Sequence, residues 1–158
     1  MGKNQQEFLE MINEYQRVIH SVCRLYTNNT IEHEDLFQEI LAQLWVGYQR
    51  FNFESKVSTW IYRVALYTSI THIKKVMRSR EALNEVNIAQ FDSQTDTETD
   101  EELLKMAIKK LSESERAFIV LYLDDLSYKE MADILGISES NVGVKLNRIK
   151  QKLKTIMT

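Results

Sequence analysis

Proline is absent from this 158-residue chain, and glycine occurs only at Gly2, Gly47, Gly136 and Gly143. A chain so poor in both lacks the punctuation of many tight turns, so helices joined by short polar loops are expected. Cysteine is nearly missing as well. Cys23, in VIHSVCRLY, has no partner within the chain and reads as a buried thiol, which excludes a disulfide framework. No apolar run reaches the roughly 18 residues of a membrane span. The start, MGKNQQEFLEMINEY, is polar where a secretion signal needs an apolar stretch, and the residues after Gly2 lack the Ser or Thr of a myristoylation signal. The expected location is therefore the cytoplasm, with no membrane insertion.

The signatures of catalysis are also missing. His20, His33 and His72 are far apart in the sequence, and no HExxH or paired Cys-His spacing offers a metal site. There is no GxSxG, no phosphate-cradling glycine loop and no dinucleotide fingerprint. The carboxylates fall in helix caps, first turns and one acidic stretch. A non-enzyme without metal or cofactor is expected.

The charge is unevenly spread. Residues 1–80 have ten Lys/Arg and eight Asp/Glu; residues 81–102 have none and eight; residues 103–158 have ten and seven. The net charge of -3 thus hides two mildly basic blocks around one acidic segment, EALNEVNIAQFDSQTDTETDEE. Rich in Gln, Thr, Ser and Asp and without apolar periodicity, that segment reads as a flexible linker. The expected organisation is all-α: a helical domain over 1–79, an acidic tether over 80–99, and a second helical domain over 100–158. A twenty-residue tether reaches at most roughly 70 Å, more than one DNA turn of about 34–36 Å.

In the C-terminal block, three Ser/Thr-x-x-Glu signals open three helices: Thr99 with Glu102, Ser112 with Glu115, and Ser127 with Glu130. Leu104, Ala107, Ile108 and Leu111 form one apolar stripe. Gly136 stops the third helix and Ser138 caps a fourth, whose Val142, Leu146, Ile149, Leu153 and Ile156 repeat at steps of four and three. A short helix, a Gly-containing turn and a longer helix make a helix-turn-helix. Met131, Ala132 and Leu135 face inward, with Ala132 small enough for a close crossing and Ile137 at the corner. In such a motif the second helix enters the major groove by its N-terminal residues, here Glu139, Ser140, Asn141, Gly143, Lys145, Asn147 and Arg148. Asn and Arg suit base edges, while Lys145, Lys150 and Lys152 suit phosphates. A glycine inside a helix costs roughly 0.5–1 kcal/mol. Gly143 fits a close backbone approach to DNA and a tolerated neutral position equally well.

In the N-terminal block, TIEHEDLFQEILAQLWVGYQRF has Thr30 as its expected cap and a wide apolar face of Leu36, Phe37, Ile40, Leu41, Leu44, Trp45 and Tyr48. The opposite face, with Asp35, Gln38 and Glu39, is either solvated or docks on a basic helix. Ser58 is the expected cap of TWIYRVALYTSITHIKKVMR, where Arg63, Tyr67, Lys74 and Arg78 form a basic stripe interrupted by an aromatic. Cations beside stacking rings suit melted nucleic acid. Trp60 and Tyr62 read first as core, whereas Phe53, between helices, is not easily explained by a core.

Taken in order, EDLFQEILAQLW, FNFESKVSTWIYRVA, LSYKEMADILGIS and NVGVKLNRIKQKL resemble a bacterial sigma-70 family factor of the small extracytoplasmic-function group, over about residues 8–157. The resemblance implies a two-domain helical protein that binds core RNA polymerase, through its beta and beta-prime subunits, and promoter DNA. It implies that Asp35, Gln38 and Glu39 dock on a coiled coil of the largest subunit. Asn52, Phe53, Glu54, Lys56 and Ser58 would capture a flipped base of the minus-ten element, with Arg63, Tyr67, Lys74 and Lys75 at the upstream edge of melting. The helix from Ser138 would read the minus-thirty-five element. Many of the group also have an anti-sigma protein that holds them silent. Tyr67 and Thr71 stand where Asn and Asp are frequent, and Gly143 and Val144 where basic and hydroxyl residues are usual. Two other readings compete: a stand-alone helix-turn-helix regulator with an N-terminal dimerisation or sensing domain, and an interaction module that mimics such a factor.

Overall fold

The computed structural model describes residues 5–83 and 99–158, and every regular element among them is helical. The first half holds α1 (Gln5–Tyr26), α2 (Thr30–Tyr48) and α3 (Val57–Ala82). The second holds α4 (Asp100–Lys109), α5 (Glu113–Leu123), α6 (Tyr128–Leu135) and α7 (Glu139–Met157). Helix α3 runs through the expected start of the tether at residue 80. The rest of the acidic stretch, residues 84–98, lies outside the described residues.

Local chemistry explains most of these boundaries. Thr99, Ser112 and Ser127 each accept the amide three residues on, while Glu102, Glu115 and Glu130 accept the capping residue's own N–H. Each cap is worth about 1 kcal/mol, because it satisfies amides that the helix leaves orphaned. Gly136 ends α6 at φ 69° and ψ 32°, a left-handed conformation that only glycine adopts without steric cost.

Two expected caps are displaced. Asn29, not Thr30, caps α2: its Oδ1 accepts Glu32 N–H at 2.9 Å, and Glu32 in turn accepts Asn28 N–H at 2.9 Å. Thr30 is one residue too late to reach that amide. Ser58 lies within the first turn of α3, because the chain turns helical at Val57 and Lys56, extended at ψ 145°, occupies the cap without a side-chain bond.

One buried apolar cluster runs through both halves. In the first half, Ile19, Val22 and Cys23 of α1 are inaccessible to solvent, as are Leu36, Ile40 and Leu44 of α2 and Ile61 and Ala65 of α3. Burial pushes the Cys23 thiol up to about 12. In the second half, Leu121, Met131, Val142 and Leu146 are equally buried, so the expected stripe of α7 is its packing face. Ile134, with 7% exposure, joins that core, while Leu135 is only half-buried. The halves also pack on each other: α1 meets α4 and α5, and α3 meets α5 and α6.

Candidate nucleic-acid interface

The loop between α2 and α3 builds a concave aromatic site. Helix α2 unwinds through Arg50 N–H on the Gly47 carbonyl at 3.1 Å and Phe51 N–H on the Tyr48 carbonyl at 3.2 Å. Asn52 Oδ1 then accepts Glu54 N–H at 3.3 Å, a side-chain turn that brings the chain back toward α3. Phe51 stacks on Trp60 with centroids 4.5 Å apart and planes 15° from parallel. Phe53 leans on Phe51 at 4.7 Å and remains 58% exposed. Gly47 makes room for the indole, since a Cβ there would lie 3.3 Å from Trp60 Cζ2.

The result is an open cavity of about 350 Å³ lined by Gly47, Arg50, Phe51, Asn52, Glu54, Ser55, Trp60 and Arg63. An unstacked base needs a π-face, amide groups for its pairing edge and cations for its phosphates. At this cavity Phe51 and Trp60 present aromatic rings, Asn52 an amide, and Arg50 and Arg63 guanidinium groups.

Of the residues expected here, Asn52, Phe53, Glu54 and Lys56 are exposed on the loop, while Ser58 is half-buried. Phe53 holds φ at 60°, a left-handed conformation unusual for a side chain of that size. Tyr67 is 74% exposed on α3, with Lys74 and Lys75 also exposed on that helix. Arg63 is partly diverted: its guanidinium donates to the Asp133 carbonyl and, from Nε at 3.4 Å, to that of Ile134. Tyr62 is core, with 5% exposure, and Trp60 is a wall of the cavity. Arg50, Phe51 and Trp60 line the cavity as well, although the sequence did not single them out for it. The alternation of Phe51, Asn52 and Phe53 was the available signal for the first aromatic.

The second surface is the start of α7. Ser138 Oγ accepts Asn141 N–H at 3.1 Å and fixes that end of the helix. Glu139, Ser140, Asn141, Lys145, Asn147 and Arg148 are all exposed, opposite the buried Val142 and Leu146. Gly143 is half-buried, and a Cβ there would sit 3.4 Å from Cε2 of Tyr128 on α6, an ordinary contact. Its neighbour is thus the first helix of the motif. The cationic tail is less available than its sequence suggests. Lys150 lies over the Tyr122 ring at 4.0 Å, and Lys152 pairs with Glu115 at 2.9 Å, so both tie α7 to α5.

The third surface is the outer face of α2. Asp35 and Gln38 are exposed there. Glu39 is half-buried, with its Oε2 2.8 Å from His72 Nδ1 of α3. Lys75 and His72, together with Val76, Ser79 and Arg80, line a second shallow cavity beside this pair. His20 and His33, distant in sequence, meet across α1 and α2 with ring nitrogens 2.8 Å apart. Burial, and then the neighbouring His20, pulls the His33 pKa down. Among the described residues no group of three or more His, Cys, Asp or Glu could hold a metal ion.

Comparisons with known proteins match this arrangement. The family model described as Sigma-70 region 2 matches residues 11–79, and that described as Sigma-70, region 4 matches residues 101–153. The chain is 27% identical over 168 residues to the ECF RNA polymerase sigma factor SigW of Bacillus subtilis, covering 96% of this chain and 89% of that protein. It is also 27% identical over 152 residues to the RNA polymerase sigma factor YlaC of Bacillus subtilis, covering 91% and 87%. Among solved structures, the sigma factor RpoE of Bartonella quintana, in complex with the anti-sigma factor NepR, matches with TM-score 0.70 and 21% identity. That match covers 97% of this chain and 95% of the other. CnrH, solved with the cytosolic domain of CnrY, matches with TM-score 0.62 and 16% identity, covering 98% and 89%.

Proposed function

We propose how a chain that belongs to the sigma-70 family of RNA polymerase sigma factors, in its extracytoplasmic-function group, uses these surfaces to open promoters. As a member it binds core RNA polymerase, recognises promoter DNA and promotes transcription initiation. Our reading divides the work. Residues 100–158 anchor on the duplex at the minus-thirty-five element through Glu139, Ser140, Asn141, Gly143, Lys145, Asn147 and Arg148. Residues 1–79 dock on polymerase through Asp35, Gln38 and Glu39. They trap the melted minus-ten strand with Asn52, Phe53, Glu54, Lys56 and Ser58, backed by Arg63, Tyr67, Lys74 and Lys75. Residues 80–99 connect the two.

The single observation behind this reading is the cavity beside the Phe51–Trp60 stack, with the exposed Phe53 packed against Phe51. Unstacking a base costs a few kcal/mol, so one small site holds it only when polymerase also strains the duplex. The free chain is accordingly expected to bind promoter duplex weakly. No catalytic group of its own is required, because polymerase makes the RNA. No helix among the described residues is long and apolar enough to cross a membrane; we place the work in the bacterial cytoplasm, beside the polymerase. An anti-sigma protein belongs to the same reading, supported by RpoE having been solved with NepR. A stand-alone regulator would leave the aromatic loop without a task.

Run-off transcription on a library of genomic fragments tests the reading. Core polymerase supplemented with this chain is expected to start at discrete promoters that core alone does not use. Failure of the chain to bind core would overturn the proposal.

A further inference from the structure

Helix α2 brings Asp35, Gln38 and Glu39 together on its outer face, as the helical period does for residues three and four apart. Glu39 also reaches across to another helix. Its Oε2 lies 2.8 Å from Nδ1 of His72 on α3. The carboxylate oxygen accepts, so Nδ1 is the ring nitrogen that carries the proton in this bond. His72 is the more enclosed partner: 28% of its side chain is exposed, against 41% for Glu39. The ring sits one turn beyond Ser69, which is inaccessible to solvent and donates to the Ala65 carbonyl at 2.7 Å. Lys75, Val76, Ser79 and Arg80 continue along α3 and line the cavity beside the pair. One end of the bond is thus anchored in the packing of α3, while the other opens to solvent.

From this geometry we infer that His72 is a positioning residue for polymerase docking: it holds the Glu39 carboxylate on the outer face of α2, ready for a basic group of the polymerase. The inference deepens the docking role proposed above for Glu39 and rests on it. A carboxylate accepts up to about four hydrogen bonds. The one that His72 donates leaves Oε1, and room on Oε2, for donors of the polymerase. A glutamate loose on a helix surface must give up its rotamer freedom when it docks. One already held by a neighbour has less to lose, which strengthens binding without any new contact. Histidine suits the task better than a longer cation would. An arginine fork would take both oxygens at once, and a lysine would move with the carboxylate instead of fixing it. The same bond pins α2 to the helix that exposes Tyr67, Lys74 and Lys75, so the docking face and the proposed DNA face keep a fixed relation.

The test titrates the full chain, labelled for fluorescence anisotropy, with core RNA polymerase. His72→Ala is expected to bind core about three- to tenfold more weakly, as follows from freeing one long side chain. His72→Asn should bind within about twofold of wild type, because its amide nitrogen hangs from Cγ where Nδ1 does, and Asn and His have similar helix propensities. His72→Gln, whose amide lies one bond further out, should resemble His72→Ala although glutamine is the better helix former. Glu39→Ala should also weaken binding, and adding His72→Ala to it should cost nothing more, since no carboxylate is left to position. Circular dichroism checks folding; should His72→Ala lose helix content, the comparison of His72→Asn with His72→Gln carries the test. Wild-type affinity for both His72→Ala and His72→Gln, or an equal loss with and without Glu39, would overturn the positioning role. Rescue by His72→Gln rather than by His72→Asn would do the same. Glu39→Ala binding core as wild type does would instead overturn the docking role of Glu39 itself, so the two failures are distinguishable.

Discussion

Replacing Phe53 with glycine separates stability from promoter opening. Phe53 sits at φ 60°, where an L-residue is strained by roughly 1–2 kcal/mol relative to glycine. Against that relief stand the tilted contact with Phe51 at 4.7 Å, worth about 0.5–1.5 kcal/mol, and the greater unfolded-chain entropy of glycine. With the ring 58% exposed, little further burial is at stake. The opposing terms nearly cancel, so urea unfolding should place Phe53→Gly within about 1 kcal/mol of wild type. Opening should respond quite differently. Base–aromatic stacking is worth about 1–3 kcal/mol, which corresponds to roughly a 5- to 150-fold loss of open complex. Permanganate reactivity of promoter thymines, measured with core polymerase at saturating factor, reads that loss. A Phe53→Gly protein that is folded and opens the promoter within twofold of wild type would refute the stacking role.

Gly136→Ala meets no neighbour within 4 Å, so its cost is the left-handed backbone alone: about 1 kcal/mol, or a fall of roughly 2–4 °C in Tm. Asn141→Ala and Arg148→Ala should each weaken discrimination at the base they read by about 1–3 kcal/mol, measured by selection from randomised promoters; unchanged minus-thirty-five preference would move the reading face elsewhere. Alkaline stability follows from buried acids. Burial raises the Cys23 thiol to about 12, and the Tyr26 and Tyr62 hydroxyls also rise, through burial first and, for Tyr62, its bond to Asp124. Their stabilisation is complete below the ordinary thiol and phenol values, about 8.5 and 10, and is lost as pH climbs through the raised ones. Lys109, lowered by burial to about 8, acts oppositely: its contribution grows as pH rises from there. The chain should therefore hold to about pH 10 and unfold above it, with Cys23 becoming reactive to Ellman's reagent in that same transition; reaction in the folded protein at pH 8 would contradict the burial.

What could be read from the sequence was what lies within a turn or two of itself. The three Ser/Thr–Glu boxes, the Gly136 stop and the α7 stripe are local, so their geometry follows from spacing alone. The cap of α2 differs by one residue because Asn29 and Thr30 are both competent and only one lies three before Glu32. The exposed face of α7 was legible as the complement of its apolar stripe. Its cationic tail was not, since Lys150 and Lys152 find partners on α5, and no helical period encodes what another helix offers. Gly143 is similar: its neighbour Tyr128 belongs to the preceding helix. The cavity was half legible. Its loop stands out, yet the Phe51–Trp60 stack depends on how α2 and α3 cross. Contacts between the halves were invisible: Ser21 Oγ donates to Asp124 at 3.0 Å across 103 residues of chain, and hydrogen bonds at that range leave no periodic trace.

The central claim is that the loop around Phe53 holds the melted minus-ten strand. Replacing Phe53 with the photoreactive analogue benzoylphenylalanine and irradiating the complete polymerase–promoter complex tests it at the level of single nucleotides. The account predicts one dominant crosslink, to an unpaired base of the minus-ten element, which disappears when the same promoter is held closed at low temperature. Crosslinks confined to upstream duplex, or equal in closed and open complexes, would contradict it.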